Sequence, residues 1–290
     1  MNFLSVFVLW LCAPAVRGWK PPTTQRTAVW VKVPRGGEGG GTKLPILEPS
    51  TMVKIFCSFY ALNGALSLPA PESAKDFALQ EGTSDYVVFE NLGTVSLGYA
   101  ALVYLTAFKT TMAAPKVIAL SSLPCAYVSY KNMLKGLTAK LSGNKLQGPL
   151  MTAFMVACIW AILNDKGNAK HIATALAIPP IVIGLVSQFN LGAGMQLSGF
   201  GTSSLSDKKG RAIYVWFAAL MTGWGTLALL RLHQQPAEAM NAIALAAMVE
   251  TAFMVDCLFL RQWNVGVAPA ASNYVFLGIP LVTAIVLWLR

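Results

Sequence analysis

Residues 239–260 read AMNAIALAAMVETAFMVDCLFL, a stretch in which Asn241, Glu250, Thr251 and Asp256 are the only polar residues. At about 1.5 Å per residue, an uninterrupted apolar run of this length crosses the roughly 30 Å hydrocarbon core of a bilayer as a helix. Working outward, further apolar runs lie near residues 52–69, 89–108, 116–134, 148–164, 171–190, 212–232 and 273–289. Together they predict an all-α fold, a polytopic transmembrane helical bundle of about eight spans. The run at 52–69 is the least regular, since it contains Lys54 and Asn63 and ends at Pro69.

Composition supports a membrane protein. Hydrophobic residues make up 55% of the 290 and charged residues 12%, against about 25% charged in an ordinary soluble domain. Mean hydropathy is +0.56. These values exclude a water-soluble globular enzyme, a disordered regulator and a basic nucleic-acid binder. The net charge of +10 lies in the first fifty residues and between apolar runs, so the partner it implies is a lipid bilayer and not nucleic acid. Basic residues divide nearly evenly between the two sides of an eight-span chain and do not orient it.

Two polar connections are long, 70–88 and 191–211, and they follow the first and fifth runs. This order suggests a four-plus-four tandem repeat with units at 52–165 and 171–290. At a constant offset of about 125 residues, Leu97-Gly98-Tyr99 aligns with Thr222-Gly223-Trp224. Val117-Ile118-Ala119-Leu120 then falls on Ala242-Ile243-Ala244-Leu245, and upstream Gly82-Thr83-Ser84 matches Gly201-Thr202-Ser203. An even number of spans per unit makes the repeats parallel.

Ahead of the bundle, residues 3–16 (FLSVFVLWLCAPAV) are too short to span comfortably and suit a signal-peptide core. Small-residue cleavage patterns follow at Ala13-Pro14-Ala15 and Val16-Arg17-Gly18, giving a signal at 1–18. Residues 19–51 form a transit-like segment and linker, in which Lys20, Arg26, Lys32, Arg35 and Lys43 accompany Thr23, Thr24, Thr27 and Thr42. With Trp19 at the junction, this arrangement resembles the bipartite plastid presequence of algae with red-lineage secondary plastids. The resemblance implies an integral protein of a plastid membrane, thylakoid or envelope. The alternative is a secretory signal followed by a Gly-rich linker, which implies the endoplasmic reticulum or secretory pathway; the chain has no Asn-x-Ser/Thr sequon.

Few residues offer chemistry. Cys57, Cys125, Cys158 and Cys257 sit singly inside apolar runs, without a CxxC or a Cys/His cluster, so no metal centre is expected. His171 and His233 are the only histidines, too few for the His boxes of a di-iron desaturase. On eight spans they fall at one membrane face, as a shared interfacial site or as two unrelated residues. The last run has no Lys for a retinal Schiff base, and Glu90-Asn91 is not followed by the Arg of chlorophyll-ligating helices. The Gly-rich stretch 192–201 lacks a preceding strand and a phosphate-binding Lys, and it reads as a flexible connector.

Glu250 stands apart. A carboxylate at the bilayer centre costs several kcal/mol unless it is protonated, paired or facing a cavity. If the turn after the sixth run centres near Pro236, Glu250 lies opposite Thr222, within Thr222-Gly223-Trp224-Gly225-Thr226. That predicts a ligand or helix-contact pocket of Glu250, Thr222, Gly223, Trp224 and Thr226 holding a neutral carboxyl group, or a plain interhelical hydrogen bond at the same place. Asp256 can reach the interface, where Arg261 follows.

The layout of each half, a Gly-rich helix, a short turn, an apolar helix with an acidic residue and a short final span, resembles the DoxX-like proteins and the ergosterol-biosynthesis scaffold protein. In the second half it runs from Trp216 to Arg231, then Glu250, then Gly266 and Pro269. The resemblance implies a scaffold more than a catalyst, binding a membrane protein complex, pigment or lipid. A carrier of a small or apolar solute and a membrane enzyme acting on lipid, pigment or isoprenoid are the alternatives. No catalytic residue and no cofactor are assigned. For targeting, a fluorescent fusion of residues 1–50 is expected to enter the plastid, and Trp19→Ala to stall it outside; microscopy showing retention in the endoplasmic reticulum would reject the plastid reading.

Overall fold

An apolar run of about twenty residues satisfies its backbone polar groups most simply as a helix, and every run above does so. The structure, a computed structural model, describes residues 48–67, 83–200, 202, 208–234, 238–261 and 271–289. Among them the long helices are α1 (Pro49–Ser67), α2 (Ser84–Phe108), α3 (Ala114–Leu134), α5 (Gln147–Leu163), α6 (Ala169–Phe189), α8 (Lys208–His233), α9 (Ala239–Met254) and α10 (Ala271–Trp288). Asp85–Phe108, Ala169–Phe189, Gly210–His233 and Ala239–Leu260 are long and apolar enough to cross a membrane. The fold is thus a helical bundle with four candidate membrane spans among the described residues. The signal-like segment, residues 19–47 of the transit-like segment and linker, most of the loop at 70–88 and the turn at Pro236 lie outside them.

Two short helices are additions. In α4 (Leu137–Ser142) the flanking Gly136 and Gly143 take the left-handed conformation, with φ of 65° and 71°. There a residue with a Cβ is strained. The stretch expected to be a flexible connector begins with α7 (Leu191–Leu197), capped by the Asn190 side chain, which accepts from the Ala193 N–H. Beyond Met254, α9 continues as a π-helical turn over Val255–Leu260.

The neighbour relations are simple. In one half α1 packs on α2, α2 on α3 and α3 on α5; in the other α6 packs on α8, α8 on α9 and α9 on α10. The halves meet chiefly where α2 lies against α8, and at their edges α10 touches α1 and α5 touches α6. Glu48–Arg290 is one compact unit.

Small residues set the closest approaches. A Cβ on Gly64 of α1 would collide with the Leu97 side chain and come within 2.7 Å of the Gly93 carbonyl oxygen on α2. A Cβ on Gly184 of α6 would collide with the Thr222 hydroxyl and lie 3.3 Å from the Ala218 carbonyl oxygen on α8. Close backbone contact of this kind supplies the attraction between helices where apolar burial cannot, because lipid tails are as apolar as the side chains.

Polar contacts gather at the two ends. At one end Arg231 donates to the carbonyl oxygens of Thr110 (3.3 Å) and Met112 (3.1 Å), and Lys116 pairs with Asp165 at 3.1 Å. At the other, the Gln147 amide donates to the Gln196 carbonyl at 2.9 Å. There too Asp256 joins Arg261 at 3.1 Å and accepts from the Gln188 amide at 2.8 Å.

Gly64→Ala and Gly184→Ala are each expected to destabilise the bundle by about 1–3 kcal/mol through overpacking. Gly278→Ala, where a Cβ meets nothing within 4 Å, serves as the neutral control. Thermal unfolding of the three variants in one detergent checks the difference.

Candidate functional site

Glu250 lies in the middle of α9 and is 0% exposed. Its Oε1 accepts from the Tyr60 hydroxyl of α1, a residue 190 positions away. The Tyr99 ring of α2 closes the other side, its hydroxyl beside the same carboxyl group but outside hydrogen-bond geometry. Phe56 completes an aromatic wall, with ring centroids 4.6 Å from Tyr60 and 5.4 Å from Tyr99. Tyr60 and Tyr99 are as completely buried as the acid. The carboxyl group is therefore enclosed by α1, α2 and α9.

The residues expected around it are placed differently. Thr222 bonds back to the Ala218 carbonyl at 2.8 Å and faces Gly184 of α6, so it does not meet Glu250. Gly223 does approach the cluster, since a Cβ there would lie 2.9 Å from the Tyr99 hydroxyl. Trp224 points elsewhere, into the wall of a cavity described below. Thr226 is half-buried on α8. Of the five pocket residues, the structure brings together Glu250 and, through Tyr99, Gly223. A hairpin reflection considers only α8 as a partner for α9, whereas the acid turns to α1 and α2.

His171 begins α6 and His233 ends α8, both exposed. They share one end of the bundle, where Lys170 is close enough to His233 for their charges to interact. Among the described residues no three of His, Cys, Asp and Glu converge to hold a metal ion.

Two polar contacts and two cavities had no counterpart in the sequence reading. Glu90 of α2, 1% exposed, pairs with the Lys131 ammonium of α3. The Trp216 indole donates to Asn273 at 2.9 Å and stacks on Phe276 with centroids 4.6 Å apart, fixing α10 on α8. Two cavities lie in the region of α3, α5, α6 and α8. One, of about 160 Å³, has almost entirely apolar walls that include Cys125, Pro180 and Trp224. The other, of about 90 Å³, shares walls with it and is also lined by Asn91, Ser129, Asn132 and Thr138.

No family model matches the chain, and neither a curated protein nor a solved structure matches it.

Removing one partner of a buried hydrogen bond leaves the other unsatisfied, whereas removing both costs less. Tyr60→Phe and Glu250→Leu are each expected to lower stability by about 0.6–2 kcal/mol, the range of interhelical hydrogen bonds in membranes. The double variant is expected to lose less than the sum. Additive losses in a thermal-unfolding cycle would show that the pair is not coupled.

Proposed function

We propose that the protein is a non-enzymatic integral membrane protein of a plastid, in thylakoid or envelope, that serves as an accessory or assembly component and binds lipid, pigment or a protein complex through its bundle. The tie between Glu250 and Tyr60 supports this most directly. A membrane acid that performs acid–base chemistry or couples transport has to face a cavity, a pathway or an exchanging partner. Glu250 instead joins α9 to α1 inside an aromatic enclosure, and it lines neither of the two cavities. That is the position of a group that holds helices in place.

The same proposal includes eight spans in two parallel four-span units, α1, α2, α3 and α5 against α6, α8, α9 and α10. Several observations support it. Exchanging the two sets turns each adjacent pair within a unit into an adjacent pair of the other, and exchanges the α1–α10 edge for the α5–α6 edge. The contacts of Gly64 with Leu97 and Gly93 correspond to those of Gly184 with Thr222 and Ala218, each 125 residues on along α2 and α8. Ser67 and Ser187 both bond back four residues, to Asn63 and Ile183. Around the α2–α8 contact, Gly223 meets Tyr99, while Gly98 has the Trp224 indole nitrogen 3.8 Å from its Cβ position.

Fractionation of cells expressing the tagged full chain, followed by native gels, tests the functional reading. The protein is expected in plastid membranes, migrating well above its 31.0 kDa chain mass, with Glu250→Gln accumulating and migrating as the parent does. A protein confined to secretory membranes or running alone would overturn the accessory role, and solute flux into proteoliposomes abolished by Glu250→Gln would favour a carrier.

A further inference from the structure

Applied to the Glu250 cluster, the correspondence between units leads to the larger cavity. Tyr60, Tyr99 and Glu250 match Pro180, Trp224 and Cys125 at the same offsets, and all three of these line that cavity. Where two phenols and a carboxyl group fill one position, a proline ring and a thiol at the other leave about 160 Å³ unfilled. An apolar cavity of about 150 Å³ is large enough to take up a molecule the size of benzene. Phe154 of α5 and Pro179 of α6, both exposed, stand at the outer rim, on the apolar surface of the bundle.

The smaller cavity has walls in common with the larger at Cys125, Met155 and Ile183, and it adds a polar end. Asn132 lines that end, is 3% exposed, and its Oδ1 is buried with no hydrogen-bond partner among the described residues. It stands seven residues after Cys125 on α3, about two turns or 10.5 Å along the axis. Seven residues also return to nearly the same helix face. Asn132 is close to the end of α3 at Leu134, so in a bilayer its oxygen sits near the interface while Cys125 lies deeper.

We propose that these cavities form one binding site for a single-chain neutral lipid with a hydroxyl head, such as a long-chain or prenyl alcohol. The chain lies between α5 and α6 against Cys125, Pro180 and Trp224, and the hydroxyl donates to Asn132 Oδ1. A chain leaving surrounding lipid gains no hydrophobic free energy, so selection has to come from the width of the cavity and from the donor that the buried oxygen lacks. The apolar walls of the larger cavity disfavour an ion there, and its volume suits one chain more than two. The site rests on the membrane-embedded, lipid-binding part of the function proposed above and is independent of the organelle.

The test uses the full-length protein in detergent with hexadecanol carrying a mid-chain diazirine and a terminal alkyne, alongside its methyl ether, which cannot donate. The alcohol is expected to label peptides of α3, α5 and α6 at least tenfold more strongly than the ether, and excess plain hexadecanol to abolish the labelling. Asn132→Leu is expected to erase the preference for the alcohol, and Cys125→Phe, which fills the cavity, to abolish labelling by both probes. Met155→Phe replaces Cys125→Phe if the latter does not accumulate. Equal labelling of the parent protein by alcohol and ether, or labelling spread over the exposed apolar surface, overturns the site without requiring any variant. Secretory localisation with intact discrimination would overturn only the plastid reading, whereas plastid localisation without discrimination would overturn only this site.

Discussion

Everything in the bundle hangs on how closely α2 and α8 can approach, because these two helices form the centre and every other long helix packs on at least one of them or on their immediate neighbours. Inside a bilayer no hydrophobic force drives one apolar helix against another. Contact has to be earned by shape, and the chain supplies shape with small residues placed at the crossings. Gly64 and Gly184 let α1 and α6 sit against the backbones of α2 and α8, while Gly98 admits the Ser121 carbonyl of α3 and Gly223 leaves room for Tyr99. Hydroxyl side chains such as Thr222 and Ser187 bond back into their own helices, so they pack at interfaces without leaving a polar group unsatisfied.

On this frame the polar residues divide into two kinds. The Glu250–Tyr60 bond joins helices in the interior, and the Glu90–Lys131 pair and Trp216–Asn273 bond join helices nearer one end. Arg231, Lys116 and the Asp256–Arg261 pair hold the ends, where water can share the burden of solvation. Partnered groups of both kinds fix register and orientation. Glu90, Glu250, Asn273 and Arg231 also keep one buried atom without a partner, but Asn132 differs in lining a cavity as well. A buried acceptor left without a donor is costly, and a hydroxyl donor at that end of the cavity removes the cost.

Helix positions were legible in the sequence because length and apolarity alone specify them, and each of the eight runs became a helix within a few residues of its expected bounds. The short helices α4 and α7 were not legible. They depend on Gly136, Gly143 and Asn190 as local stops and caps, signals that a search for long apolar runs passes over. Glu250 was legible as a singular residue from its charge, but its partner was not: a contact across 190 residues follows from which helices become neighbours, and hairpin geometry reaches only the adjacent one. Glu90 was passed over for a related reason. It sits near the start of an apolar run, where a flanking charge is ordinary, and its burial arises from the Lys131 side of α3. A cavity is harder still to read, because Cys125 and Pro180 are unremarkable residues whose significance lies in what they fail to fill.

The off-axis position of the cavities bears on binding against transport. The contact of α2 with α8 is closed by Tyr99 against Gly223, so the centre of the bundle is occupied by packed side chains. A carrier built on two parallel units commonly places its solute between them, where rocking of one unit against the other alternates access. Here the unfilled space is walled by α3 and α5 on one side and α6 and α8 on the other, away from the contact of Tyr99 with Gly223, with rim residues on the apolar surface. On the repeat proposed above, the matching position is filled by Tyr60, Tyr99 and Glu250. Rim residues on the apolar surface are what the lipid-binding role proposed above needs, since they let a chain enter from the membrane side.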